Sequence, residues 1–314
     1  MLELRGVTKR YGDMVAVESV SMKVEAGTVA AVIGPNGAGK STAFRLISGL
    51  LYPDAGQILW DGRELHEAMP AELRAFLPEQ CGLYQSLEVE PLLRYWARLR
   101  KMQKAAIPSA VDGWISRFGL GSKRRSLVRQ LSKGNQQKVQ LAACLMHAPK
   151  LIVLDEPFSG LDPVSQDLVS GVLREQAVNG AAILISAHQL GLIERLADTV
   201  MLMRAGRLVD MQAFGRSSSR IGDAAERTIR VHVRPGVPLV LDMLPPHQIG
   251  DPDGNQVLIT FAAMTLGEFT RCLSMLAATD GVIDLEFSRP DLHRTYVRSL
   301  STHFEEGPDG SPRS

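Results

Sequence analysis

One short run, Gly34-Pro35-Asn36-Gly37-Ala38-Gly39-Lys40-Ser41-Thr42, constrains this chain more than any other part of it. It matches the Walker A pattern G-x-x-x-x-G-K-[ST] in full and follows directly on the apolar run Val29 to Ile33. The glycines let backbone N–H groups turn inward around a β-phosphate, and the helix expected to follow adds its positive end. Lys40 is placed to reach the β- and γ-phosphates, and the Ser41 hydroxyl to ligate Mg2+.

A second element has the complementary chemistry. Leu151-Ile152-Val153-Leu154 is an apolar strand that ends in two carboxylates, Asp155 and Glu156, then Pro157. The carboxyl ends of strands are where open α/β sheets bind ligands. Asp155 is expected to help hold Mg2+ through water, and Glu156 to polarise the water that attacks the γ-phosphate.

Other apolar runs support the same architecture. Thr28 to Ile33, Leu151 to Leu154, Ala182 to Ser186 and Thr199 to Met203 are short, continuous and rich in Val, Ile and Leu. Such runs suit a sheet covered on both faces, hence an α/β domain. Between about Leu83 and Leu131 they vanish, and Leu92, Leu93, Trp96 and Leu99 follow helical spacing instead. We therefore expect an α/β domain over residues 1–214 with a helical insert at about 83–147. The polar stretch Gly215 to Gly222 marks a boundary. Beyond it, strands are expected at Thr228 to Val233, Gln256 to Phe261 and Val282 to Phe287, with a helix at Thr265 to Ala277. That gives a small C-terminal α+β domain over 223–300. Residues 301–314 have little to bury and are expected to be disordered.

The run Leu131-Ser132-Lys133-Gly134-Asn135-Gln136-Gln137-Lys138 resembles the signature motif of ABC ATPases, the P-loop NTPases that drive transporters. Further elements stand in that family's order. Ser159-Gly160-Leu161-Asp162 resembles the D-loop, His188 in ISAHQL resembles the switch histidine, and Tyr11 falls where the family stacks an aromatic on adenine. These motifs span roughly residues 1 to 212. The resemblance implies an ATPase that binds ATP with Mg2+. ATP would be held by Tyr11, by the loop from Gly34 to Thr42, and by Ser132, Gly134, Asn135, Gln136 and Asp162. Glu156 and His188 would be catalytic, and Ser41, Asp155 and Glu79 would contact the metal. A serine and a glycine at a helix N-terminus make an anion site. In the family that site takes the γ-phosphate held by the partner subunit's phosphate loop. One phosphate loop in 314 residues thus implies a head-to-tail homodimer with two ATP molecules.

The sequence departs from the family at one place. Most members carry a glutamine after the strand that leads into the insert. Here Arg74-Ala75-Phe76-Leu77-Pro78 is followed by Glu79, with Gln80 one step later. We favour Glu79 for that position and leave Gln80 open. LPE, then YWARLRKM and LSKGNQ, with an extra C-terminal domain, resembles the bacterial ABC-2-type exporter ATPases of the sodium-efflux and drug-resistance kinds. Members of that subset work with a separately encoded integral membrane permease. The expected place is then cytoplasmic, peripheral on the cell membrane. Leu83, Tyr84, Leu92, Tyr95 and Trp96 offer a docking groove for such a permease.

Composition narrows the alternatives. Lys and Arg number 35 against 34 Asp and Glu, a net +1, so no nucleic-acid partner is expected from global charge. The longest apolar runs are about five residues, far short of the about 20 a membrane-spanning helix needs. The charged N-terminus does not read as a signal peptide. Cys81, Cys144 and Cys272 show no pairing or metal-ligand spacing, which suits a reducing compartment. Two other readings stay open: a soluble ABC ATPase acting on ribosomes or nucleic acid, and a regulatory ATP-binding subunit.

Overall fold

The computed structural model describes residues 1–80, 82–187, 189–213, 225–234, 244–245, 247–249, 255–264, 266–277 and 279–288. The chain divides into two compact units, Met1–Phe214 and Gly215–Ser314. The expected linker at 215–222, the tail at 301–314 and Cys81 lie outside the described residues.

In the first unit, β1 (Leu2–Tyr11) and β2 (Met14–Val24) form a hairpin, and β3 (Val29–Ile33) leads into α1 (Lys40–Ile47). Next come β4 (Ala55–Trp60), β5 (Arg63–Glu64), α2 (Leu65–Ala68) and β6 (Arg74–Leu77). Three helices follow: α3 (Val89–Leu99), α4 (Ile107–Arg117) and α5 (Lys133–Leu145). The chain then returns through β7 (Leu151–Leu154), α6 (Pro163–Val178), β8 (Ala182–Ser186), α7 (Leu190–Leu196), β9 (Thr199–Arg204) and β10 (Arg207–Ala213).

Among the described residues the strands form two sheets in this unit. One has the order β10-β9-β3-β8-β7-β6, parallel except for the β9–β10 hairpin. Every residue of β3, β7 and β8 is buried, which is why these strands read as unbroken apolar runs. The other is antiparallel, with the order β2-β1-β4-β5. It has a different pattern: along Val20–Val24 buried Val20, Met22 and Val24 alternate with exposed Ser21 and Lys23. Helix α1 contributes Phe44, Leu46 and Ile47 to a core shared with both sheets, including Leu4 and Val17 on one side and Val32 and Val153 on the other.

The parallel register fixes the site. Val32 pairs with Ser186, Leu77 with Leu154, and Leu154 with Ile185. Gly34, Pro78, Asp155 and Ser186 therefore stand together at the carboxyl edge of one sheet.

Helices α3 and α4 of the insert bury one face each, whereas α5 is buried on every side from Val139 to Leu145. In α3 that face is Val89, Leu92, Leu93 and Ala97, an i, i+3, i+4, i+8 pattern. Leu83 and Leu92 are thus core, not part of a surface groove, because the helical period turns Leu92 inward with Val89. Tyr84, Tyr95 and Leu99 are exposed, and Tyr84 meets Tyr95 edge-on at 5.7 Å. Arg100 Nη1 donates to the carbonyls of Ala71 and Arg74, at 2.9 and 3.1 Å, and ties α3 to the start of β6. In the Lys123-Arg124-Arg125 run, Arg124 pairs with Glu90 and Asp112 while its neighbours are exposed.

The second unit contains β11 (Ala225–Val233), β12 (His247–Ile249), β13 (Gln256–Met264), α8 (Leu266–Ala277) and β14 (Val282–Ser288). Its described strands form an antiparallel sheet of order β12-β13-β11-β14. Ile229, Val231, Ile259 and Phe261 pack with Phe269, Cys272 and Leu276 of α8 as its core.

Candidate functional site

The phosphate loop is glycine-rich for reasons of space as well as backbone angle. A β-carbon at Gly34 would run into the carbonyl oxygen of Met203, and one at Gly39 into that of Ala16. Gly39 also has φ +102° at the N-cap of α1, where the first helical bond, Ala43 N–H to Gly39 O, closes at 2.9 Å. Gly206 N–H donates to Ala38 O at 2.9 Å and pins the loop to the β9–β10 turn. The loop thus wraps the start of α1, whose first-turn N–H groups face its hollow, as an anion site requires.

Lys40 is buried and its Nζ donates to the carbonyls of Gly34 and Pro35, at 2.7 and 3.0 Å. Burial pushes its ammonium below the ordinary lysine range, and the charges of Glu156, Asp155 and Glu79 oppose that shift. The structure therefore brings these three carboxylates, expected from separate stretches of sequence, into the field of one lysine. With the half-buried Ser41 hydroxyl they are oxygen donors of the kind a hard divalent cation selects, so the residues present fit Mg2+ beside a triphosphate.

The Asp155–Glu156 corner is held from two sides. Asp155 is buried, and its Oδ1 accepts from Ser186 Oγ at 2.7 Å. The same Ser186 Oγ accepts the Glu156 N–H at 2.9 Å. From α5, Gln137 Nε2 donates to Pro157 O at 3.0 Å and Glu156 O at 3.4 Å. Glu156 itself has φ +53°, a left-handed backbone uncommon for a residue with a β-carbon.

Ser132 is the N-cap of α5, its Oγ accepting from Asn135 N–H at 3.4 Å. Gly134 packs against the carbonyl of Gly160. Gln136 Nε2 donates to the carbonyls of Val128 and Leu131, at 3.1 and 3.2 Å, so its amide braces the turn before the helix. Asp162 caps α6, accepting from Ser165 N–H at 2.9 Å and Ser165 Oγ at 2.8 Å. These bonds hold its carboxyl below the usual range.

Tyr11 ends β1 at the hairpin tip, paired with Met14 and 44% exposed, while Glu79 and Gln80 are exposed on the loop after β6. His188 lies outside the described residues. Ser186 and Gln137 were not expected at the site. Gln137 lay inside the quoted signature run, and Ser186 ended a strand whose sequence read only as apolar.

The chain is similar in sequence to known ATP-binding proteins. Residues 17–159 match the family model for ABC transporters. The chain is 37% identical over 209 residues to an uncharacterized ABC transporter ATP-binding protein of Bacillus subtilis, covering 67% of this chain and 70% of that protein. It is 36% identical over 206 residues to a daunorubicin resistance ATP-binding protein of Streptomyces coeruleorubidus, covering 65% of each. A methionine import ATP-binding protein of Symbiobacterium thermophilum is 31% identical over 283 residues, covering 83% of this chain and 79% of that protein.

Proposed function

The chain belongs to the ABC transporter ATP-binding family, and from that membership we propose that it is the ATPase subunit of an exporter, energising a separately encoded membrane permease. The observation that carries the reading is the glycine cradle around buried Lys40 beside buried Asp155, which Ser186 holds at the same carboxyl edge of the sheet.

The loop from Gly34 to Thr42 binds the ATP phosphates, with Lys40 moving from its own carbonyls to the β- and γ-phosphates. Ser41, Asp155 and Glu79 would hold Mg2+, which when bound offsets phosphate charge. Glu156 polarises the attacking water, and His188 contacts the γ-phosphate. Ser132, Gly134, Asn135 and Gln136 present the N-terminus of α5 to the ATP of a second copy, and Asp162 couples the two sites. Tyr11 stacks on adenine. Two ATP molecules then close a head-to-tail homodimer, and hydrolysis reopens it.

Among the described residues no helix is long and apolar enough to cross a membrane, which leaves the span to a permease. We place the subunit on the cytoplasmic face of the membrane. Of the expected docking groove, exposed Tyr84 and Tyr95 and half-buried Trp96 on the insert remain to offer a docking surface. Export is supported by the LPE and LSKGNQ pattern and by the similarity to a drug-resistance protein. Import is the second reading, favoured by the 283-residue similarity to a methionine import protein.

The test uses tagged Glu156→Gln protein, purified from host membranes in detergent with ATP and Mg2+, and identifies co-purifying chains by mass spectrometry. A multi-span permease is the expected result, and transport assayed with it in oriented vesicles reads the direction. Recovery with ribosomes or nucleic acid, or only as a free dimer, would overturn the transporter reading.

A further inference from the structure

Ser186 stands at the carboxyl end of β8 with no exposed surface. Its hydroxyl joins two groups across about thirty residues of sequence: it accepts Glu156 N–H at 2.9 Å and donates to Asp155 Oδ1 at 2.7 Å. A serine hydroxyl has one proton, so with Glu156 N–H as its donor that proton is committed to Asp155. The two hydrogen bonds lie just beyond the Leu154–Ile185 pair that ends the β7–β8 ladder, at the first and second residues after Leu154. The hydroxyl therefore replaces backbone pairing where β7 turns away into the strained Glu156 backbone.

We propose that Ser186 is a positioning residue for hydrolysis, its hydroxyl fixing the Asp155 carboxylate and the Glu156 backbone so that both acidic groups face the phosphates. The proposal rests on the ATPase reading of the site. Ser186 touches no substrate in this scheme and acts only through its two neighbours. Without the hydroxyl, Asp155 Oδ1 loses a donor and Glu156 N–H loses its acceptor. Asp155 is then free to turn, and the left-handed Glu156 backbone loses the bond that opposes its relaxation. The glycine cradle stands on β3 and α1, and none of its hydrogen bonds described above involves Ser186. Nucleotide binding and turnover should therefore respond separately.

The experiment measures kcat and KM for ATP, equilibrium ATP binding and the melting temperature of the full chain. The variants are Ser186→Ala, Ser186→Thr and Ser186→Val, with wild type and Glu156→Gln in the same assay. Threonine and valine have nearly the same shape and differ in the hydroxyl, so that pair separates hydrogen bonding from packing. Misplacing a catalytic group by about 1 Å can cost on the order of 100-fold. We expect kcat to fall about 10- to 100-fold in Ser186→Ala and Ser186→Val while ATP affinity stays within about threefold. Ser186→Thr should turn over at least about tenfold faster than Ser186→Val. A Ser186→Ala protein with wild-type kcat would overturn the proposal. So would equal rates for the threonine and valine variants, or a loss of affinity matching the loss of kcat. A wild-type chain that binds ATP without hydrolysing it would overturn the ATPase reading itself, a result that the Glu156→Gln control makes recognisable.

Discussion

The carbonyl oxygen of Gly160 stands where a side chain at Gly134 would begin: a β-carbon built there would lie 2.8 Å from it. The signature helix and the loop before Asp162 are thus in backbone contact, and Gly134 is a glycine for lack of space. Gly134→Ala should cost about 1–3 kcal/mol through overpacking and lower ATP turnover as the loop shifts. Gly113, mid-way along α4 with nothing within 4 Å of its would-be β-carbon, is the control. There alanine should stabilise by up to about 1 kcal/mol through helix propensity. Melting curves of the two variants should move in opposite directions, and a Gly134→Ala protein as stable as wild type would remove the steric argument.

Glu156→Gln keeps the shape of the side chain and removes its basicity. It should reduce hydrolysis by about 100- to 10,000-fold, the span of a positioned general base, while ATP binding persists. Size-exclusion chromatography with ATP should then show an accumulated dimer. Wild-type turnover in this variant would take Glu156 out of the catalytic role.

The parallel sheet and the phosphate loop were legible in the sequence because burial on both faces and the need for glycine leave few residue choices. The apolar runs Leu151–Leu154 and Ala182–Ser186 coincide with β7 and β8. The antiparallel sheet is not legible as a continuous apolar run, because Val20 to Val24 alternates buried and exposed residues, the pattern of a strand with one solvated face. The bracing of the acidic corner was illegible for another reason. The partners of Ser186 and Gln137 lie 30 or 31 and 19 or 20 residues away, and only the fold brings them together.

His147, just beyond α5, offers a test of pH dependence. Burial, aided by the charge of Arg100, pushes its imidazole down from 6.5 to about 4. The folded ring stays neutral while the unfolded chain takes up a proton below pH 6.5, so stability is lost as the pH falls from about 6.5 towards 4. From this group the loss between pH 7 and 5 should be about 2 kcal/mol. In His147→Gln the denaturant midpoint should fall less over that interval. Parallel slopes for the two proteins would exclude His147 as the source.

Tyr11 is exposed at a hairpin tip, with little packing to lose. Tyr11→Ala should weaken ATP binding by about 1–3 kcal/mol, the worth of stacking on a base, and leave the melting temperature nearly unchanged. Tyr11→Phe, which keeps the ring, should bind like wild type. Equal affinity in the alanine variant would show that adenine is held elsewhere.

Glu79 is tied to the site by its charge. It acts on Lys40 through space, and it is the residue we favour over Gln80 for the position that the motif resemblance fills with glutamine. If its carboxylate contacts the metal, Glu79→Gln should retain turnover and raise the Mg2+ concentration for half-maximal activity by about tenfold. Gln80→Ala should leave that concentration alone, because an exposed amide one residue along is not then part of the metal's surroundings. Titration of activity against Mg2+ at saturating ATP separates the two residues. An unchanged midpoint for Glu79→Gln together with a raised one for Gln80→Ala would transfer the metal contact to Gln80. Glu79 would then act on the site through its charge on Lys40 alone.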